Sequence, residues 1–245
     1  MQKAIEETGS NIKFTGERVI EGITPERIWL DHINRYRFAA KFAYKKDVLD
    51  ISCGSGYGSK ILKESGATSV IGIDISKETV DYAKRRYKID GLHFINGNIL
   101  NIQYPDNYFD MAVSFETIEH IKEYRKALSE IHRVLKGNCI LVISSPNRKI
   151  TSPGKTINEL PDNEYHFIEF SKKEFNFLLS DYFKVNGCYG QRSVYKPFLI
   201  SFIKKRLIRF FPILFSPDSG SPIVEKYHFL KEYRYLIAFC INSKK

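Results

Sequence analysis

VLDISCGSGYGSKILKESGATSVIGID, residues 48–74, reads as a strand, a glycine turn, a helix and a second strand that ends on an acid. Val48, Leu49 and Ile51 form the short apolar run expected of a parallel strand buried on both faces. Gly54, Gly56 and Gly58 follow at once. Glycine tolerates positive φ and lets backbone N–H groups come close to a ligand. Ser59 to Ser65 fits one short helix, which Gly66 can close. Ser69 to Ile73 is the next β-rich run, and Asp74 ends it. Gly54 and Asp74 are 20 residues apart. At that separation an acid after the second strand meets a ribose lying over the first glycine turn.

The glycine spacing separates two kinds of ligand. A dinucleotide turn wants G-x-G-x-x-G, so that a pyrophosphate rests on the helix N-terminus. Here the third glycine comes one residue early, at Gly58, and residue 59 is Ser. The pattern D-x-x-x-G-x-G-x-G, Asp50 to Gly58, resembles motif I of class I S-adenosylmethionine (SAM) methyltransferases. The resemblance continues in VIGID and in YFDMAVSFETIEHI, residues 108–121, and covers about residues 33–192 and the last strand. SPNRK and NEYHFIEFSKKEF resemble a bacterial subgroup of small-molecule enzymes, often tied to surface-glycan or natural-product pathways.

The resemblance implies an α/β, Rossmann-like, seven-stranded and mostly parallel sheet with an antiparallel last strand and helices on both faces. It implies SAM as cofactor. Asp50 would lie near the cofactor ammonium, with Ser52, Gly54 and Gly56 in the turn. Asp74 would take the ribose, with Ile75 beside it, and Asn98 and Ile99 would face the adenine, with Phe115 completing the site. Ser52 departs from the family, where many relatives have glycine, and fits if its φ is negative.

Length and composition bound the answer. A chain of 245 residues can bury a sizeable core, and 43% apolar with 27% charged residues is a globular profile. There is no run of 18 apolar residues and no apolar leader segment. Cys53, Cys139, Cys188 and Cys240 are widely spaced, without the C-x-x-C pairs of zinc or redox sites. They read as reduced thiols of a cytoplasmic protein, and no metal site is expected. The net charge is +10, and residues 193–215 hold Lys196, Lys204, Lys205, Arg206 and Arg209 with no acid.

Taken in order, residues 1–44 form a polar arm and a helical region, with Thr24 as N-cap and Pro25 at the first helical position. In the resembled family such helices cover the cofactor. Residues 45–192 and 233–245 form the core, and residues 193–232 an insertion. Ser76 caps a helix to about Tyr87, and Leu92–Ile95 is the third strand. Met111–Phe115 is the fourth strand and Glu123–Leu135 a helix closed by Lys136-Gly137. Cys139–Ser144, Phe183–Gln191 and Tyr233–Asn242 complete the sheet. Ser171 with Glu174 forms a capping box. Residues 148–170 lack regular pattern, and a loop of that length is usually functional or mobile.

Substrate chemistry belongs beyond the carboxyl ends of the strands. His120, just after strand four, and His166, in the long loop, are the candidate bases for a hydroxyl acceptor. Glu116 and Glu119 are candidates to orient the acceptor or a histidine. The resulting expectation is O-methylation of a small polar acceptor, a sugar or glycan-precursor hydroxyl. Alternatives are another acceptor class, such as a natural product or RNA, a silent SAM-fold interaction module, or an NAD enzyme. Amino methylation of nucleic acid is disfavoured, because Ser114-Phe115-Glu116-Thr117 lacks the N/D-P-P-Y-like turn that holds a flipped base. Residues 196–215, KPFLISFIKKRLIRFFPILF, alternate basic and apolar residues. They fit either an amphipathic helix lying on an anionic inner-membrane face or a cap over the substrate site.

Overall fold

The computed structural model describes residues 18–195 and 220–244. The basic stretch 196–215, with both its membrane and its cap readings, lies outside the described residues. Among the described residues eight strands form one sheet in the order β3-β2-β1-β4-β5-β8-β6-β7. They are β1 (Asp47–Ile51), β2 (Ser69–Asp74), β3 (Leu92–Asn96), β4 (Phe109–Ser114), β5 (Leu135–Pro146), β6 (Phe183–Tyr195), β7 (Glu225–Lys226) and β8 (Lys231–Asn242). Pairing is parallel from β3 across to β5. β8 inserts antiparallel between β5 and β6. The expected antiparallel last strand is therefore present, and the two-residue edge strand β7 makes eight strands where seven were expected.

Alternation along the strands sends side chains into two cores. Val48, Val70, Met111 and Val113 pack under α1 (Glu26–Ala40), α2 (Tyr57–Glu64) and α3 (Lys77–Arg86). Leu49, Ile71, Ala112 and Leu141 pack on the other face, under α4 (Tyr124–Val134) and α6 (Lys172–Ser180). α5 (Arg148–Thr151) is a single turn in the long loop. All four cysteines are free thiols. Among the described residues no helix is long and apolar enough to cross a membrane.

Three local expectations change. Thr24 does not cap α1; its Oγ1 accepts the Ile20 N–H at 2.7 Å, and the cap position falls to Pro25. Lys136-Gly137 does not close a helix but starts β5, because fully buried Leu135 pairs with Phe109 and commits the chain to the sheet. β6 and β8 run on past residue 192, with Ser193 opposite Tyr233 and Tyr195 opposite Lys231. The Ser171–Glu174 capping box forms as expected.

α1 is tied to the far end of β6 by buried polar groups. Arg192 Nε donates to Asp31 Oδ1 at 2.7 Å, and Arg35 Nη1 to Gln191 Oε1 at 2.8 Å. Its other anchor is steric. A Cβ on Gly58 would lie 2.0 Å from the Tyr36 ring, so the third glycine exists to let α1 approach α2. Gly58→Ala should therefore destabilise the protein by about 1–3 kcal/mol, the usual range for overpacking. Urea unfolding measures it, and an unchanged midpoint would mean that Tyr36 can swing aside.

Candidate active site

A cavity of about 590 Å³ opens where β1 and β4 end. These neighbouring strands are where the sheet order reverses, the place where open α/β sheets bind ligands. One half is lined by Ser52, Cys53, Gly54, Asp74, Ile75 and Phe115, with His32 and Tyr36 from α1 above. The other half holds Glu116, Glu119, His120, Asn163, His166 and Glu169.

The cofactor half grows out of the glycine turn. Gly54 sits at φ +54, and no described residue lies within 4 Å of where its Cβ would be, so the missing side chain leaves a cradle. Asp74 closes the turn: its Oδ2 accepts the Gly54 N–H at 3.0 Å and its Oδ1 the Ser76 N–H at 2.8 Å. Ile75 is 74% exposed at the rim, an apolar surface with no protein cover. An acid for ribose hydroxyls, an open backbone turn and an apolar ledge are the donor set that a nucleoside with an amino-acid arm requires.

Five residues expected in this half stand in another conformation or outside the lining. Ser52 has φ +55, not a negative value, so it occupies the left-handed region that favours glycine. Asp50 does not line the cavity. It is fully buried behind the turn, where Tyr36 Oη donates to Oδ1 at 3.0 Å and Ser59 Oγ to Oδ2 at 2.5 Å. There it braces α1 and α2 against β1. Gly56, at φ +86, also lies outside the lining and starts α2. Asn98 and Ile99 are likewise outside it; Asn98 Oδ1 accepts the Leu100 N–H at 2.9 Å and shapes its own turn.

The second half joins three segments. Glu116 sits at φ +48, two residues beyond the end of β4. Fully buried Ser144 on β5 holds it there, accepting the Glu116 N–H at 3.1 Å and donating to Oε1 at 2.6 Å. A 3-10 turn, Ile118–His120, follows. The long loop docks on it: Phe167 N–H donates to the Glu119 carbonyl at 2.8 Å, and His120 Nδ1 lies 3.0 Å from the Tyr165 carbonyl. The His120 and His166 rings meet edge-to-face, centroids 4.7 Å apart. His166 Nδ1 lies 2.7 Å from Glu169 Oε1.

The electrostatics differ sharply among neighbours. Burial pushes Glu119 well above the usual carboxylate range, and nearby Glu116 adds to it. Burial also acts on Glu169, but hydrogen bonds from His166, Thr151 and Ser152 outweigh it and leave that acid lowered. Burial, with Arg35 nearby, drives His32 well below the ordinary imidazole value, so it stays neutral and partners Tyr57 Oη at 3.0 Å. Sequence reasoning missed Glu169, His32 and Tyr36. Glu169 stands three residues after His166, and that spacing was the one signal available.

With this geometry in hand, the comparisons are specific. A family model described as a methyltransferase domain matches residues 49–143. A Mycolicibacterium smegmatis protein named "Probable S-adenosylmethionine-dependent methyltransferase" is 35% identical over 172 residues, 69% of this chain and 64% of that protein. The chain belongs to the class I SAM-dependent methyltransferases. The cofactor of the family is SAM. A Mycobacterium tuberculosis phthiotriol/phenolphthiotriol dimycocerosates methyltransferase is 32% identical over 108 residues, 43% of this chain and 40% of that protein. The chain spans just under two thirds of the first of these relatives and less of the second. A solved SAM-dependent methyltransferase from Mesorhizobium loti shares the fold at TM-score 0.59 and 14% identity, covering 85% of this chain and 98% of that one.

Asp50 yields a test of the brace. Burial raises its pKa to about 7, against hydrogen bonds from Ser59 and Tyr36 that lower it. The folded state therefore holds this proton more tightly than the unfolded chain, whose value is about 3.9. The associated stability is full below pH ~4 and is lost as pH rises through about 7. Relative to Asp50→Asn, the parent should lose on the order of 3 kcal/mol between pH 4 and pH 8. Urea midpoints of the two proteins at several pH values read this out, and parallel curves would mean that the acid stays ionised in the fold.

Proposed function

We propose that this chain transfers the methyl group of SAM to a hydroxyl of a small polar acceptor, a sugar or glycan precursor. The observation that carries the reading is the single cavity. It joins Gly54 and Asp74 to a cluster of two imidazoles and three carboxylates within one enclosure. When bound, SAM supplies a methyl already made electrophilic by the sulfonium.

The chain's own residues do the rest. Asp74 holds ribose hydroxyls, the Ser52–Gly54 backbone borders the amino-acid arm, and Ile75 and Phe115 give apolar cover. Glu116, fixed by Ser144, and Glu119 orient the acceptor. A hydroxyl must lose its proton, and this favours a neutral imidazole near the acceptor oxygen. The Tyr165 carbonyl can only accept, so His120 carries its proton on Nδ1 and presents Nε2 as the basic atom. Glu169 sets the same tautomer in His166. Five acidic or basic side chains around the acceptor half favour a polar acceptor over a hydrocarbon one. The relative named for phthiotriol and phenolphthiotriol dimycocerosates keeps a larger acceptor within the family's range.

Calorimetry with S-adenosylhomocysteine, NAD and the Asp74→Ala variant tests the cofactor. Micromolar binding of S-adenosylhomocysteine, weakened at least about tenfold in the variant, is expected, with no heat from NAD. Turnover on a panel of sugars, nucleotide sugars and lipid-linked glycans follows. His120→Ala should lower kcat by roughly 10²–10⁴-fold with little change in S-adenosylhomocysteine affinity. Absence of S-adenosylhomocysteine binding sinks the reading, and binding without turnover on any acceptor favours an interaction module.

A further inference from the structure

We propose that Glu119, His120 and His166 form a binding site for one divalent transition-metal cation in the acceptor half of the cavity. One donor atom from each residue lies within 4.8 Å of the other two. Neighbouring donors around an ion with bonds of about 2.1 Å stand roughly 3.0–3.4 Å apart in octahedral or tetrahedral geometry, so an arriving ion draws the three side chains together by up to roughly 1.4–1.8 Å.

Proximity alone would not carry the inference; the state of Glu119 does. This side chain is 0% exposed, yet it borders the cavity. Among the described residues, neither of its carboxylate oxygens has a hydrogen-bond partner. Its acidic neighbours are all supplied with donors: Glu116 by Ser144, and Glu169 by Thr151, Ser152 and His166 at 2.6–2.7 Å. Arg35, a buried cation whose charge reaches Glu119, makes no hydrogen bond to it among the described residues; it bonds Gln191 and lies 4.6 Å over the Tyr235 ring. A buried carboxylate without donors costs several kcal/mol unless a positive partner arrives.

The two histidines are prepared in the way metal-bound histidines are. Such rings donate their second N–H to a carbonyl or a carboxylate, which fixes the tautomer and raises the basicity of the ligating nitrogen. His120 does this to the Tyr165 carbonyl and His166 to Glu169. Both rings therefore carry the lone pair on Nε2. In His166 that lone pair now accepts from the Asn163 amide at 3.0 Å, a bond that an arriving ion displaces.

Two imidazoles and one carboxylate suit Mn²⁺, Fe²⁺ or Zn²⁺ better than Mg²⁺, which prefers oxygen. They also leave coordination positions open toward the cavity. Resting on the proposed methyltransferase reading for this consequence alone, the open positions suit an acceptor that chelates through two adjacent oxygens, a vicinal diol. In the loaded state the imidazoles ligate, and the ion acidifies the acceptor hydroxyl that they would otherwise deprotonate directly.

The test uses the whole chain, stripped with chelator. MnCl₂ is titrated while the electron-paramagnetic signal of free Mn²⁺ is followed, and ZnCl₂ is titrated by calorimetry. One ion per chain is expected at micromolar affinity. Glu119→Gln and His120→Asn should each weaken it at least about tenfold. Circular dichroism and the urea midpoint, measured on the same samples, identify the variants that are folded, and S-adenosylhomocysteine affinity is measured alongside. No stoichiometric binding of either metal up to millimolar concentration overturns the site. Binding of equal affinity in both folded variants overturns it too. If metal binds as expected but S-adenosylhomocysteine does not, the site stands and the methyltransferase reading is what fails.

Discussion

A carboxylate with no exposure must find its donors inside the protein, and where Asp50 finds them sets the geometry of the cavity. Its two oxygens take hydroxyls from different helices, Tyr36 on α1 and Ser59 on α2. Both helices are thereby referenced to the end of β1. The Tyr36 ring can reach only because Gly58 offers no Cβ. That ring then meets Phe115 at 5.0 Å and Tyr57 at 5.5 Å, edge-on in each case, and all three line the cavity. The cavity wall is thus built outward from one buried acid. Because the hydroxyls donate and the desolvation opposes charge, the brace is strong as a positioning device while contributing little net stability at neutral pH.

The ends of β1 and β4 repeat one device. Each strand is followed by a non-glycine residue in the left-handed region, Ser52 at φ +55 and Glu116 at φ +48. Such a residue costs on the order of 1 kcal/mol, and strain of this kind persists only where surroundings enforce it. The Cys53 N–H is bound by the Ile73 carbonyl at 3.0 Å, and Glu116 is gripped by Ser144 through backbone and side chain together. The result is a sharp exit from two adjacent strands at the reversal of sheet order. The chain departs to opposite sides there, and a crevice is left between.

What could be read in advance follows the range of the interactions involved. The glycine turn, Asp74 and the Ser171–Glu174 cap depend on neighbours a few residues away or on one strand–helix–strand unit, and local spacing encodes them. The sign of φ at Ser52 does not follow from its own identity, since the Cys53–Ile73 bond across strands sets it. The brace role of Asp50 needed Tyr36, which belongs to a helix whose periodicity says only that the residue is apolar-facing. Asn98 was placed by resemblance alone, and its Oδ1 also shapes its own turn. The extension of β6 and β8 past residue 192 was hidden for the same reason: partners 40 residues apart decide it.

This difference in range also divides the cavity. Its cofactor half is made mostly by residues 52–75, with one helix and Phe115 laid over them, so it rests largely on one strand–helix–strand unit. Its acceptor half exists only when the loop carrying His166 and Glu169 meets the turn carrying Glu119 and His120, 45 residues away at the His120–Tyr165 contact. Closing so long a loop is not prohibitive, because the entropic cost grows only logarithmically with length. It does require compensation at the contact. That comes from the Phe167–Glu119 backbone bond, the His120–Tyr165 bond, the Asn147–Phe170 bridge and the Arg148–Glu174 ion pair at 2.6 Å. Each of these bonds lies between backbone and backbone, ring and carbonyl, or the loop and α6, and none involves the carboxylate of Glu119. The loop is therefore docked without satisfying the one buried acid it covers, and that acid is left facing the space where the acceptor must sit.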